Sequence, residues 1–174
     1  MSNVEVGTLL CACYEDGKQF LGVAKITLPD LEFETFGVKG LGLMGSMDLP
    51  AYGQLKPMKM TINFTDANEA QYRLAELRTH LLDLRVLKGG YDNTTSELTE
   101  TNHKYIIQCY PTKTTGGDIE PVSSQGASNE FSVTSFKEYR NGKRCRYVDV
   151  VKMIYEDGSG VDRMANRRRM LGMN

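Results

Sequence analysis

An antiparallel, β-rich α+β domain with one flanking α-helix is the fold class this sequence predicts, on three observations. Several runs alternate apolar and polar residues with period two, most clearly Met58 to Phe64 (MKMTINF). Two dipeptides that favour positive φ, Asp16-Gly17 and Asn141-Gly142, join such runs as tight hairpins require. One stretch, Asp66 to Leu81, opens with a helix start signal and keeps its apolar residues at steps of three and four.

In chain order, Gly7 to Tyr14 and Lys18 to Leu28 form the first hairpin, turning at Glu15-Asp16-Gly17. Pro29 ends the second ladder, because it has no N–H to donate. Glu32 to Phe36 alternates charge and aromatic ring, and then the pattern breaks over Phe36 to Pro57. Gly37, Gly40, Gly42, Gly45, Gly53, Pro50 and Pro57 are interleaved there with Val38, Leu41, Leu43, Met44, Met47, Leu49 and Tyr52. About 20 residues without a clear period exceed most connections in a small domain. The apolar content argues against disorder. The expectation is a long arm that orders by packing on something else, most simply a neighbouring subunit.

Asp66-Ala67-Asn68-Glu69 matches a capping box, and Ala67, Ala70, Leu74, Leu77 and Leu81 predict a helix of about four turns with His80 at its C-terminal end. Asp83 to Leu87 reads as a strand that Gly89-Gly90 breaks, and Asp92 to Asn102 as a polar connector. His103 to Thr114 is a long strand with Tyr105, Ile107 and Cys109 on one face, followed by a polar loop from Thr115 to Ser128. Glu130 to Arg140 and Lys143 to Tyr155 make the last hairpin. Gly158 to Asn174 carries a short helical pattern with Val161, Met164, Arg168 and Leu171 along one side. No internal repeat or linker divides the 174 residues, so a single domain over 1–174 is expected.

The charge balance, Lys+Arg 21 against Asp+Glu 22 for a net charge of -1, gives no reason to expect affinity for nucleic acid or anionic membrane. No stretch reaches the roughly 18 apolar residues of a membrane span, and the start MSNVEVGTLLCACYEDGKQF has no basic leader, so cytosolic synthesis without membrane anchoring is expected.

The residues of catalysis are scattered. Cys11, Cys13, Cys109 and Cys145 lie in strand-like runs, where reduced, buried thiols fit better than a zinc knuckle. His80 and His103 are far apart in different elements, and the carboxylate pairs Glu15/Asp16 and Glu32/Glu34 fall on hairpin or strand faces read as solvated. Gly40-x-Gly42-x-x-Gly45 has the letters of a dinucleotide motif, but Pro50, Gly53 and Pro57 forbid the helix whose N-terminus would hold the phosphates. Arg167-Arg168-Arg169 in a neutral chain suits ion pairs better than a nucleic-acid patch. No catalytic residue, cofactor site or metal site is predicted. A ligand-binding or hydrolytic β-barrel module is the contrasting reading, and it would require a lined pocket with convergent polar groups.

Several phrases in order resemble the major tail tube protein of contractile-tailed bacteriophages and R-type tailocins. They are Thr27-Leu28-Pro29 before the glycine-rich arm, Asn141-Gly142 feeding YVDVVKMI (Tyr147 to Ile154), and GVDRMA (Gly160 to Ala165) near the end. The chain departs from the family's usual pattern in lacking a tryptophan in the second polar loop and in spreading the arm's glycines. The resemblance implies a β-sandwich or barrel-like subunit that closes into homohexameric rings, six copies pooling strands into one β-barrel wall. Rings would stack into the hollow inner tube of a virion tail, made in the host bacterial cytoplasm. Partners implied are further copies of the chain, the tail sheath, the tape measure protein and the baseplate, with DNA passing through the lumen without specific binding. By position, the resemblance makes 36–57 the inter-ring arm and 158–174 an interface tail. The expected interface residues are then Leu41, Leu43, Met44, Met47, Leu49, Tyr52, Val161, Asp162, Arg163 and Met164. The alternative within this architecture is the tube of a type VI secretion system or another contractile injection machine.

Overall fold

The computed structural model describes residues 3–173 apart from 18, 23, 24, 41 and 43. Its strands are β1 (Asn3–Glu15), β2 (Gln19–Phe20), β3 (Lys25–Thr27), β4 (Phe33–Val38), β5 (Met47–Leu55), β6 (Met58–Asn63), β7 (His80–Asp92), β8 (Glu97–Thr115), β9 (Ser128–Arg140), β10 (Lys143–Asp149) and β11 (Ile154–Glu156). Two short helices, α1 (Glu69–Leu74) and α2 (Ala165–Met170), complete it. The β-rich antiparallel class is as the alternation predicted.

The main sheet runs β11-β10-β9-β8-β7-β1-β2, and it divides at β9. The first half of β9 pairs with β6 (Met58↔Val133 to Asn63↔Ser128), and its second half pairs with β10 (Asp149↔Ser135 to Lys143↔Arg140). A bulge falls at the change of partner, where the register against β8 shifts between Gln108↔Ser135 and Cys109↔Val133. The extra residue, Thr134, donates from Oγ1 to the Gln108 carbonyl and accepts from Val150 N–H. Bulges bend and twist a strand, and here the bend lets β6 and β3 fold over one face of the sheet. Met58, Met60 and Ile62 from β6 meet Leu82 and Leu84 from β7, Ile107 and Cys109 from β8, and Phe131, Val133 and Phe136 from β9 in one buried cluster. The alternation in MKMTINF therefore marks the inner face of a covering strand.

The last hairpin turns at Asn141 (φ 48) and Gly142 (φ 78), the double positive-φ geometry of a type I′ turn. Its second strand is shorter than expected: β10 ends at Asp149, the chain turns over 150–153, and β11 resumes at Ile154. Asp149 causes the stop, its Oδ1 accepting the Lys152 N–H. The first hairpin also differs from expectation. β2 contributes only Tyr14↔Phe20 and Glu15↔Gln19, whereas β1 is paired along nearly its full length with β7.

Two further expectations are corrected. The four-turn helix is a six-residue α1, capped by Asn68, whose side chain accepts the Gln71 N–H; Asp66 instead accepts from Gln125 N–H in the polar loop. Leu74 is fully buried, but Leu77 is 95% exposed and Leu81 lies on the open face of β7. Their helical spacing is coincidental, since His80 already belongs to a strand. Gly89 and Gly90 do not break β7, which continues to Asp92 and turns directly into β8. Side chains would collide there: a Cβ on Gly90 would lie 2.7 Å from Thr99 Oγ1, and one on Gly89 3.0 Å from Leu9.

The four cysteines are free thiols; Cys13 and Cys109 are buried, Cys11 is exposed and Cys145 half-buried. Burial, chiefly, pushes the Cys13 and Cys109 thiols up to about 12. In the folded, unassembled subunit at pH 8, a maleimide is expected to modify Cys11 readily and to reach Cys13 and Cys109 only after denaturant is added. Peptide mapping of the adducts checks this, and rapid labelling of Cys109 in the native subunit would contradict the burial.

Candidate functional site

The arm is not irregular. β4 and β5 pair with each other as a separate two-stranded sheet, Val38↔Met47 next to the tip and Phe33↔Leu55 at the base. The period was hidden because the two strands are spliced by a wide bulge. Between Phe33↔Leu55 and Thr35↔Pro50, one residue of β4 opposes four of β5, 51–54. Inside that bulge Gly53 takes φ 101 and Ala51 is buried. Pro50 is tolerated because the hairpin has no third strand to ask for its N–H.

The bulge aims Tyr52 back towards the body of the subunit. Its ring meets Phe33 edge-on at 5.7 Å between centroids, and Phe33 packs at 5.3 Å on Tyr155 of β11. The C-terminal segment closes the same region. Met164 is only 4% exposed and so close to Gly53 that a Cβ there would lie 2.7 Å from its Cε. Gly53→Ala is expected to cost roughly 1–3 kcal/mol through the positive φ and this collision together. Thermal unfolding and protease sensitivity near residues 164–173 are the readouts; unchanged behaviour in both would show that the two segments are not tied together here.

Asp162 fixes that segment. Its Oδ1 accepts from the backbone N–H groups of Tyr155 (3.2 Å) and Met164 (2.9 Å), and its Oδ2 pairs with Arg168 at 2.6 Å. Burial opposes the charge, but these N–H donors and the guanidinium outweigh it and hold the carboxyl below its ordinary value. Arg168 also donates to the Met153 carbonyl, at 2.7 Å, so α2 is bound to the β10–β11 turn. Arg163 pairs with Asp157 at 2.7 Å. The Ser159 hydroxyl, foremost, with Arg163 and the Ser159 N–H, brings the Asp157 carboxyl down to about 2.

Of the expected interface residues, Tyr52, Arg163 and Met164 line one cavity of about 450 Å³ with Phe33, Gly53, Tyr155, Asp157 and Arg167. Met44 is fully exposed at the hairpin tip, Met47 and Leu49 are 43% and 46% exposed along β5, and Val161 is exposed outside the cavity. Asp162 and Arg163 have partners within the chain, as above. Leu41 and Leu43 lie outside the described residues. Sequence reasoning missed Phe33, Gly53, Tyr155 and Arg167. The aromatic in the charged run before the arm was the available signal for Phe33, while Gly53 was one glycine among five. Among the described residues no group of three or more His, Cys, Asp and Glu side chains could hold a metal ion.

No curated protein sequence matches the chain. Two solved cryo-EM structures contain similar chains. One is the sheath-tube complex of the extracellular contractile injection system PVC in its extended state (12% identity, TM-score 0.47, covering 79% of this chain and 86% of that one). The other is the anti-feeding prophage (AFP) baseplate (10% identity, TM-score 0.48, covering 74% and 90%). The family model described as phage tail tube protein FII matches residues 10–172, nearly the whole length, and includes the arm and the C-terminal segment. The chain belongs to this family and is a structural tail tube protein, not an enzyme.

Proposed function

We propose that this chain is the protomer of a hollow inner tail tube, six copies closing each ring and rings stacking through the β4–β5 arm. The observation that carries the reading is the arm itself: a hairpin separate from the main sheet, with Phe36, Met44, Met47, Leu49 and Tyr52 between 43% and fully exposed. Exposed apolar patches of this kind mark interaction surfaces.

Lateral closure has its own support. The N-terminal part of β1 is an edge beyond the reach of β2, and Val4, Val6, Leu9 and Leu10 are 50–69% exposed along it. Long open edges are liabilities unless paired or closed. The sheet face away from the core is a candidate lumen wall. One row across five strands reads Tyr14, Asp83, Ile106, Lys137 and Tyr147, and the next Ala12, Arg85, Lys104, Tyr139 and Arg144. Arg85 and Lys104 share Asp83, and Arg144 pairs with Glu156. Partial neutralisation of this kind suits a conduit through which DNA slides without releasing many counterions. Sheath, tape measure protein and baseplate are the outer, inner and terminal partners on this reading, and the assembled position is the tail of a virion.

Negative-stain images of the purified protein test it. Rings of six and open-ended tubes are the expected result, as heterologous stacking does not close on itself. A protein that stays monomeric at high concentration and shows neither would overturn the reading, and a map placing Arg167 to Arg169 along the pore would overturn the lumen assignment.

A further inference from the structure

Two features of the arm are complementary and face opposite ways. At its tip, Met44 is fully exposed, with Lys39 exposed just beyond β4 and Asp48 exposed on β5. At its base, the same hairpin contributes Phe33, Tyr52 and Gly53 to the cavity of about 450 Å³ that Tyr155, Asp157, Arg163, Met164 and Arg167 complete. Tip and base are separated by the length of β5 from Met47 to Gly53, roughly 20 Å at strand rise.

Resting on the tube reading above, we infer that the base cavity is the receptor for the arm tip of the next copy, with Met44 as the inserted side chain. Three observations select a second copy as occupant. The cavity is walled by three aromatic rings and a methionine, surroundings in which a thioether gains sulfur–aromatic contact as well as burial. Its size matches the pockets that take small ligands rather than a single water. The charges also match. Among the described residues Arg167 has no carboxylate partner; it lies 5.9 Å from the Tyr52 ring centroid and near the Met164 sulfur. It is therefore open to the Asp48 carboxylate of an incoming tip, whereas Asp157 on the same cavity is already paired with Arg163.

Because donor and receptor are the two ends of one hairpin, each docked copy presents a fresh tip or a fresh base, and the contact repeats head to tail. Such a heterologous contact grows without closing. It also accounts for the tie between Gly53 and Met164, which holds the receptor wall in place before anything docks.

Cross-linking tests this in the full-length protein. The double variant Met44→Cys with Tyr52→Cys, oxidised under assembly conditions, is expected to give a ladder of covalent multimers on a non-reducing gel. Either single variant should stop at the background set by the exposed Cys11. Because substitution at both ends could itself hinder assembly, a second measurement places a benzophenone amino acid at position 44 only. Irradiation of assembled tubes should then cross-link to peptides containing Tyr52, Tyr155 or Met164. Met44→Asp should raise the protein concentration needed for tube growth about tenfold or more, the effect of losing one buried side chain. Tubes whose position-44 cross-links map elsewhere would overturn the receptor assignment and leave the tube reading intact. Absence of tubes from the unmodified protein would overturn both.

Discussion

Glu15→Gln is expected to lower the thermal midpoint of the subunit by roughly 10 °C, corresponding to about 3 kcal/mol. Glu15 is 1% exposed at the end of β1, where sequence alone placed it on a solvated turn. Its Oε2 lies 2.5 Å from Arg73 Nε of α1, and its Oε1 lies 2.6 Å from Arg78 Nη2 and 2.8 Å from His80 Nδ1 of β7. The other ring nitrogen of His80, Nε2, is 3.0 Å from the Glu76 carbonyl oxygen. One carboxylate thus anchors the helix, the turn after it and the start of β7. Removing its charge leaves those donors facing a neutral amide, although Arg78, 40% exposed, can turn to water and contributes less.

The same site sets an acid limit. Burial raises the cost of the Glu15 charge, but the hydrogen bonds from Arg73 and His80 and the charges of Arg73 and Arg78 outweigh it and hold the carboxyl below its ordinary value near 4.5. A carboxyl depressed in the fold contributes its full stability above the unfolded value and loses it as pH falls through the folded one. Urea unfolding from pH 7 to 3 should show a loss below about pH 4.5 that is smaller in the variant. Superimposable curves for the two proteins would remove Glu15 from its anchoring role.

The second large effect concerns assembly and should leave folding untouched. Replacing Leu41, Leu43 and Met44 together with Asp is expected to yield a soluble subunit with unchanged circular dichroism that forms no tubes. Burying each such side chain is worth about 2 kcal/mol, so roughly 6 kcal/mol per arm is withdrawn, before counting the desolvation of the new charges. The folded core supports the first half of the prediction, since its buried members come from β1, β6–β10, α1 and the segments beside them, and among the described residues none lies between 36 and 50. Tubes of normal length from the triple variant would show that the arm does not join rings.

How far such features can be read from sequence depends on whether the signal is local. The inner face of β6, the strand from His103 and the Asn141-Gly142 turn were legible because alternation and positive-φ dipeptides report directly on backbone geometry. Leu74, Leu77 and Leu81 misled because three leucines at helical spacing look alike whether the last two sit on a helix or on a turn and the open face of a strand. The partners of Glu15 were invisible for a different reason. Arg73 and Arg78 are 58 and 63 residues away, and nothing in a hairpin turn marks a carboxylate that will be covered. In the arm, the apolar content and the positions of Met44 and Tyr52 pointed to a contact, but the cavity at its base is made by Phe33, Tyr155 and Met164, which only the fold brings together.

The β4–β5 hairpin has one more consequence, for the timing of growth. Two strands alone are marginal in water, so a free subunit holds its arm beyond the Gly53–Met164 tie with little margin, and on the proposed tube reading docking would supply the remaining order. The first docking event bears that cost without a template, while later ones add to arms already set. Growth should therefore show a lag that a small amount of preformed tube abolishes, which makes the point of initiation, and not the supply of subunits, the step at which assembly is controlled.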